Sequence, residues 1–215
     1  MSGTLAVYEL TTPAAPDVPT VPATPAAPAD PEQRKGLPFT DVQESSWFYD
    51  AVAYVYGNGL MNGMTDTAFA PGVTMTRGML VTILYRMAGS PAVSGAAGFG
   101  DVPAGAYYAD AAAWAAANGI VTGYDADTFA PDAPITREQL AAILYRCAGA
   151  SGDNAALDGF TDAASVSGYA SGAMAWAVDA GLITGMGDGT LAPQGSATRA
   201  QTAVILMRFA KTAGK

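Results

Sequence analysis

Three dipeptides, Thr76-Arg77, Thr136-Arg137 and Thr198-Arg199, carry the clearest chemistry in this sequence. Each opens an apolar run with the period of a half-buried helix: Leu80-Val81-Ile83-Leu84-Met87, Leu140-Ile143-Leu144-Cys147 and Val204-Ile205-Leu206-Phe209. Thr therefore stands at the N-cap, and Gln139 or Gln201 three residues on can complete a capping box. Arg falls at the first helical position, where the helix amides already carry partial positive charge. Three arginines in register at so unfavourable a place point to an incoming anion, gripped by a guanidinium fork and by adjacent helix amides. The competing reading pairs each Arg with an acid of the protein. A charge-assisted hydrogen bond contributes only about 1.5–3 kcal/mol, so a ligand held this way also needs stacking and several sites. Trp47, Tyr107 and Tyr169 are the candidates for stacking on a ligand, or else core staples at the start of a helix. Gly63, Gly123 and Gly185 either let a ligand approach the backbone or make positive-φ turns. Asp41, Asp101 and Asp162 complete the candidate set, with turn formation as the plainer role. Arg86, Arg146 and Arg208, nine residues after the first arginines, fall near helix C-termini where the dipole favours a cation, and read as structural.

The chemistry left out is equally informative. The chain has 215 residues, half of them apolar, and a formal net charge of -9. That balance argues against a nucleic-acid partner, which needs many Lys and Arg contacts to phosphate. There is no His, which removes the commonest general base and metal ligand together. The single Cys147 recurs in register with Met87 and Phe209, so it reads as a small hydrophobe. Asp125-Ala126-Asp127 lacks the closing Glu and the spacing of a calcium loop, and no carboxylate pair suggests a glycosidase. No enzyme, metal or cofactor is expected. No signal peptide or membrane span is apparent, and Met1 reads as the start of a piece cut from a longer protein.

The elements that position these residues repeat with a period near 60. Residues 1–10 alternate weakly, as the last strand of an upstream domain would, and residues 11–38 form a Pro-rich spacer. Three units follow, at 39–98, 99–159 and 160–215. They open on Phe39-Thr40-Asp41, Phe99-Gly100-Asp101 and Phe160-Thr161-Asp162, the third being longer by a residue or two before its aromatic. A first helix then runs to Gly59, Gly119 or Gly181, which supplies the left-handed turn that ends it. A loop through Phe69-Ala70-Pro71, Phe129-Ala130-Pro131 or Leu191-Ala192-Pro193 leads to the Thr-Arg helix. The fold expected is all-α, three helix-loop-helix units closed in a pseudo-threefold ring. The Ala-rich first helices, small nearly all round, should pack as a central three-helix bundle.

This ordered set resembles three tandem S-layer homology repeats, over residues 39 to about 211. The motifs are Phe-x-Asp, an aromatic followed by Asp-Ala, Asn-Gly-apolar-x-x-Gly, Phe-x-Pro and Thr-Arg. The resemblance implies non-catalytic attachment to a Gram-positive type cell surface. Inter-repeat grooves would bind a secondary cell-wall polysaccharide linked to peptidoglycan, often through a pyruvate ketal on an amino sugar. The family's usual Thr-Arg-Ala-Glu reads here Thr76-Arg77-Gly78-Met79, Thr136-Arg137-Glu138-Gln139 and Thr198-Arg199-Ala200-Gln201. None keeps the fourth-position acid, so the sites are expected to be unequal, with that of Arg137 functional first. The alternative is a structural module whose repeats make surface-layer protein contacts without binding polysaccharide.

Overall fold

A computed structural model describes residues 36–151 and 157–212, and all six α-helices within them follow the repeat. The strand expected in residues 1–10 and nearly all of the spacer lie outside the described residues. The first helices are α1 (Tyr49–Gly57), α3 (Ala109–Ala117) and α5 (Ser171–Asp179); the second are α2 (Arg77–Met87), α4 (Arg137–Cys147) and α6 (Arg199–Thr212). Asp50 and Asp110 sit in the first turns of α1 and α3, where they complement the dipole. Gly59, Gly119 and Gly181 end the first helices at φ of 66°, 65° and 68°. Asn58 and Asn118 add side-chain bonds to the last-turn carbonyls of Tyr54 and Trp114, at 2.8 and 2.7 Å.

Helix pairing runs between repeats. α2 packs on α3, α4 on α5, and α6 returns to α1, so the three units close into a ring. Ala111, Ala112 and Ala115 are buried on α3, and these small side chains allow close approach. Tyr85 lies 5.7 Å from Trp114, and Tyr145 lies 5.6 Å from Trp176, across two of these pairs. The first helices, expected around the axis, take their main helix partners from the second helices.

Where the three units meet, the backbone closes on itself. Met75 N–H donates to Ala197 C=O at 2.8 Å, Ala197 N–H to Ile135 C=O at 2.9 Å, and Ile135 N–H to Met75 C=O at 2.9 Å. All three residues are fully buried. Each is the residue before a Thr-Arg pair, so this ring sets where all three second helices begin.

Candidate functional site

The caps form as expected. Thr76, Thr136 and Thr198 accept from the amides of Met79, Gln139 and Gln201, each at 3.3 Å. Gln139 and Gln201 reach back to the cap amides at 3.4 and 3.1 Å, which closes two capping boxes. The amides at the first two helical positions, however, are already taken. Arg77 N–H bonds to Ala133 C=O and Gly78 N–H to Pro131 C=O; Arg137 and Glu138 use Gly195 and Pro193; Arg199 and Ala200 use Val73 and Pro71. Expecting these amides to face an anion was therefore wrong: the loop of the next repeat occupies them.

The arginines are held in the same way. Arg77, Arg137 and Arg199 are buried, and their Nε atoms donate to the carbonyls of Phe129, Leu191 and Phe69 at 2.8, 2.6 and 2.8 Å. Arg199 also donates to Asn62 C=O at 2.6 Å and Arg77 to Thr122 C=O at 3.3 Å. The Arg77 guanidinium stacks 4.8 Å from the rings of Tyr124 and Phe129, and that of Arg199 lies 4.4 Å from Phe69. Among the described residues no carboxylate oxygen approaches the three within 4.0 Å. Burial lowers their pKa from the usual arginine value, and Asp101, Asp162 and Asp41 oppose it through space. An arginine stays charged in such a place, so each guanidinium is a buried cation neutralised by carbonyl dipoles.

Asp41, Asp101 and Asp162 do not face the grooves. Each spends both carboxylate oxygens on two successive amides: Asp41 on Phe69 and Ala70 at 2.8 and 2.7 Å, Asp101 on Phe129 and Ala130 at 2.9 and 2.6 Å, Asp162 on Leu191 and Ala192, both at 2.8 Å. Ala70, Ala130 and Ala192 are left-handed there, with φ of 58°, 56° and 49°. That conformation costs an alanine roughly 1–2 kcal/mol, and the carboxylate clamp offsets it. The turn so held presents the carbonyl just before each Ala to an arginine Nε. Gly63, Gly123 and Gly185 are needed for close packing, since a Cβ would overlap the backbone carbonyl of Thr65, Asp125 or Thr190. Only Gly185, at φ +84°, makes the left-handed turn. Asp125 Oδ1 accepts from the amides of Asp127 and Thr128 at 2.9 and 2.8 Å, a local turn in place of a calcium loop. Burial pushes the Cys147 thiol up to about 11, in keeping with a packing role.

Three grooves lie between the repeats, and each takes side chains from all three. The groove of the second repeat is lined by Arg77 from the first, by Thr122, Gly123, Gln139 and Arg146 from the second, and by Tyr169 from the third. That of the third repeat combines Arg137, Gly185, Gln201 and Arg208 with Trp47 from the first. That of the first combines Arg199, Asn62, Met79 and Arg86 with Tyr107 from the second. Their volumes are about 320, 540 and 80 Å³. No acidic side chain lines any of them. Trp47, Tyr107 and Tyr169 are 68, 64 and 59% exposed, so they are rim residues; the neighbouring Tyr108 and Ala170 do the burying.

Sequence reasoning missed Arg86, Arg146 and Arg208. Each donates one Nη1 to a carbonyl at the end of its own repeat's first helix, Leu60, Ile120 or Leu182, at 3.1, 3.4 and 3.1 Å. Each also lines a groove beside a Thr-Arg arginine from the preceding repeat. Their threefold register was visible; their meeting across repeats was not. A Thr-Arg unit therefore serves two grooves, with Arg137 in that of the third repeat and Gln139 in that of the second.

The matches to known proteins agree with this architecture. Residues 38–78, 98–141 and 159–203 each match the S-layer homology domain. The chain is 30% identical over 180 residues to an amylopullulanase of Thermoanaerobacterium thermosulfurigenes, covering 82% of this chain and 10% of that protein. It is 30% identical over 177 residues to the exoglucanase XynX of Acetivibrio thermocellus, covering 80% and 16%. It is 34% identical over 122 residues to the surface-layer 125 kDa protein of Lysinibacillus sphaericus, covering 54% and 10%. The chain thus spans about a fifth or less of the relatives it matches, and what enzymes and a surface-layer protein share here is the module itself. That distribution supports attachment at the cell surface. With its three matched segments closed into one ring, the chain belongs to the S-layer homology domain family.

Proposed function

We propose that the module anchors a surface protein without covalent bonds, by binding an acidic secondary cell-wall polysaccharide of a Gram-positive type envelope in its inter-repeat grooves. One observation carries this reading: in a chain of net charge -9, six arginines are gathered in pairs into three clefts lined by no acid, each with an exposed aromatic at its rim. The anion would meet the outer edges of two guanidiniums whose inner edges are already fixed, so their orientation costs nothing at binding. The rim aromatic offers its face to the apolar side of a sugar ring. A pyruvate ketal on an amino sugar suits this pairing of carboxylate and ring. Three grooves on one chain also allow several sugars of one polymer to be held together, which raises avidity without new contacts. Among the described residues no helix is long and apolar enough to cross a membrane.

The test is sedimentation of the purified chain with cell walls, before and after the secondary polymer is removed. We expect binding to be lost on stripping, and lost on native walls when Trp47, Tyr107 and Tyr169 are all changed to Ala. Binding that survives stripping would reject the carbohydrate mechanism and leave protein contacts as the basis of attachment.

A further inference from the structure

Two departures from the repeat pattern meet in space. The first is Glu138, in a helical position held by Gly78 in the first repeat and Ala200 in the third. The second is the extra residue before the aromatic of the third repeat, where the chain turns through two 3₁₀ segments, Ala163–Ser165 and Gly168–Ala170. Between them this lengthened stretch presents Ser167. The Glu138 carboxylate is 2% exposed and accepts from Ser167 N–H at 3.0 Å, Ser167 Oγ at 2.9 Å and Tyr169 Oη at 2.9 Å. Gln194 Nε2 donates to Ser167 Oγ at 3.1 Å and completes the cluster.

Tyr169 is the rim aromatic of the groove that holds Arg77 and Arg146. At the positions aligned with Glu138 the other repeats have Gly78 and Ala200, which offer no carboxylate; Tyr107 bonds instead to the Thr76 side chain, and Trp47 carries no hydroxyl. A second aromatic of the same groove is tied as well: Gln139 Nε2 donates to Tyr124 Oη at 3.1 Å, and Tyr124 stacks on Arg77. In the other two grooves Met64 and Met186 stand where Tyr124 stands.

We infer that Glu138 is a positioning residue: by holding the Tyr169 hydroxyl it pre-organises the aromatic wall of the second-repeat groove and sets the affinity of that groove alone for an anionic saccharide. The inference rests on the reading of the grooves as saccharide sites. Holding a ring in its bound orientation removes an ordering cost from binding. Burial, with the bond to Glu138 second, pushes the Tyr169 hydroxyl up to about 12, so it remains a donor at any physiological pH.

Each groove includes an isoleucine at a matching repeat position, Ile83, Ile143 or Ile205, with Ile183 also lining the third, so methyl NMR reads the three separately. The probe is the methyl glycoside of a pyruvylated N-acetylhexosamine. Tyr169→Phe, which keeps the ring and removes only the hydroxyl, should weaken the titration seen at Ile143 by about fivefold to tenfold and leave Ile83 and Ile205 unchanged. Glu138→Ala should do the same, and the double variant should be no worse than either single one. Glu138→Gln, which retains an acceptor, should recover most of the loss and covers the case in which Glu138→Ala fails to fold. A wild-type titration at Ile143 that Tyr169→Phe leaves unaltered overturns this inference alone. Equal weakening in all three grooves also overturns it, because it marks a general structural role. No titration at any isoleucine in the wild type overturns the reading of the grooves, and this inference with it.

Discussion

The seams between repeats and the rims of the grooves are built from the same short segments, yet they differ in how much variation they tolerate. At the seams the contacts are to backbone: the ring of Met75, Ile135 and Ala197, the paired amides at each second-helix start, and the arginine Nε bonds to Phe129, Leu191 and Phe69. A carbonyl is available whatever the side chain, so Leu191 serves Arg137 as Phe69 serves Arg199. At the rims the side chains themselves face the grooves, and Trp47, Tyr107 and Tyr169 or Met79, Gln139 and Gln201 differ while the seam contacts stay the same. The fold thus repeats three times closely while the grooves range from about 80 to 540 Å³. A cyclic repeat protein can hold its shape and still diversify what its clefts accept.

The comparison breaks most clearly at the arginines. Arg137→Ala should destabilise the module by about 3 kcal/mol, because it strands the buried Leu191 carbonyl and empties a packed space. Arg137→Lys should recover little, since an ammonium cannot present the same planar fork; urea denaturation of each variant checks both. Next in size is the clamp beneath the arginine. Asp101→Ala removes two charge-assisted bonds and leaves Ala130 left-handed without support, for an expected loss of about 2–3 kcal/mol. If Ala130→Gly in that background restores part of it, the clamp is confirmed as the device that holds the turn.

A smaller effect of opposite sign is expected in α6. Thr202 stands where Leu80 and Leu140 stand, is fully buried, and its hydroxyl has no hydrogen-bond partner among the described residues. Thr202→Val keeps the shape and removes the unpaired group, so thermal unfolding should show a gain of about 1 kcal/mol. At the rim, Trp47→Ala should change stability by no more than about 0.5 kcal/mol while reducing wall binding severalfold. A large stability loss there would erase the distinction between seam and rim.

Much of this was legible in the chain. The Thr caps, the glycines at 59, 119 and 181, and the half-buried second helices follow from local rules, because each depends on residues within one or two turns. The exposed aromatics were assigned by type, but the choice between rim and staple needed the structure, since Trp47 and Phe48 are equally apolar in sequence. The aspartates hold turns, the plainer of their two readings, whereas Gly63 and Gly123 serve close packing and only Gly185 makes the left-handed turn. Their partners lie nearly 30 residues away for the Asp clamps, beyond any local reading.

By itself the sequence determined that there are three units, that each is helix-loop-helix, and that positively charged side chains recur in register in an otherwise acidic chain. Those properties are periodic, and a period can be counted. Only the tertiary structure decided which residues share a groove. Ring closure shifts every contact by one repeat, so Arg77 meets Arg146 and Tyr169, Arg137 meets Arg208 and Trp47, and Arg199 meets Arg86 and Tyr107. The same closure turned the amide ends of the second helices away from a ligand and onto the neighbouring loop. Nothing in a linear repeat states the direction in which the ring closes; that follows from the packing of each second helix on the next first helix.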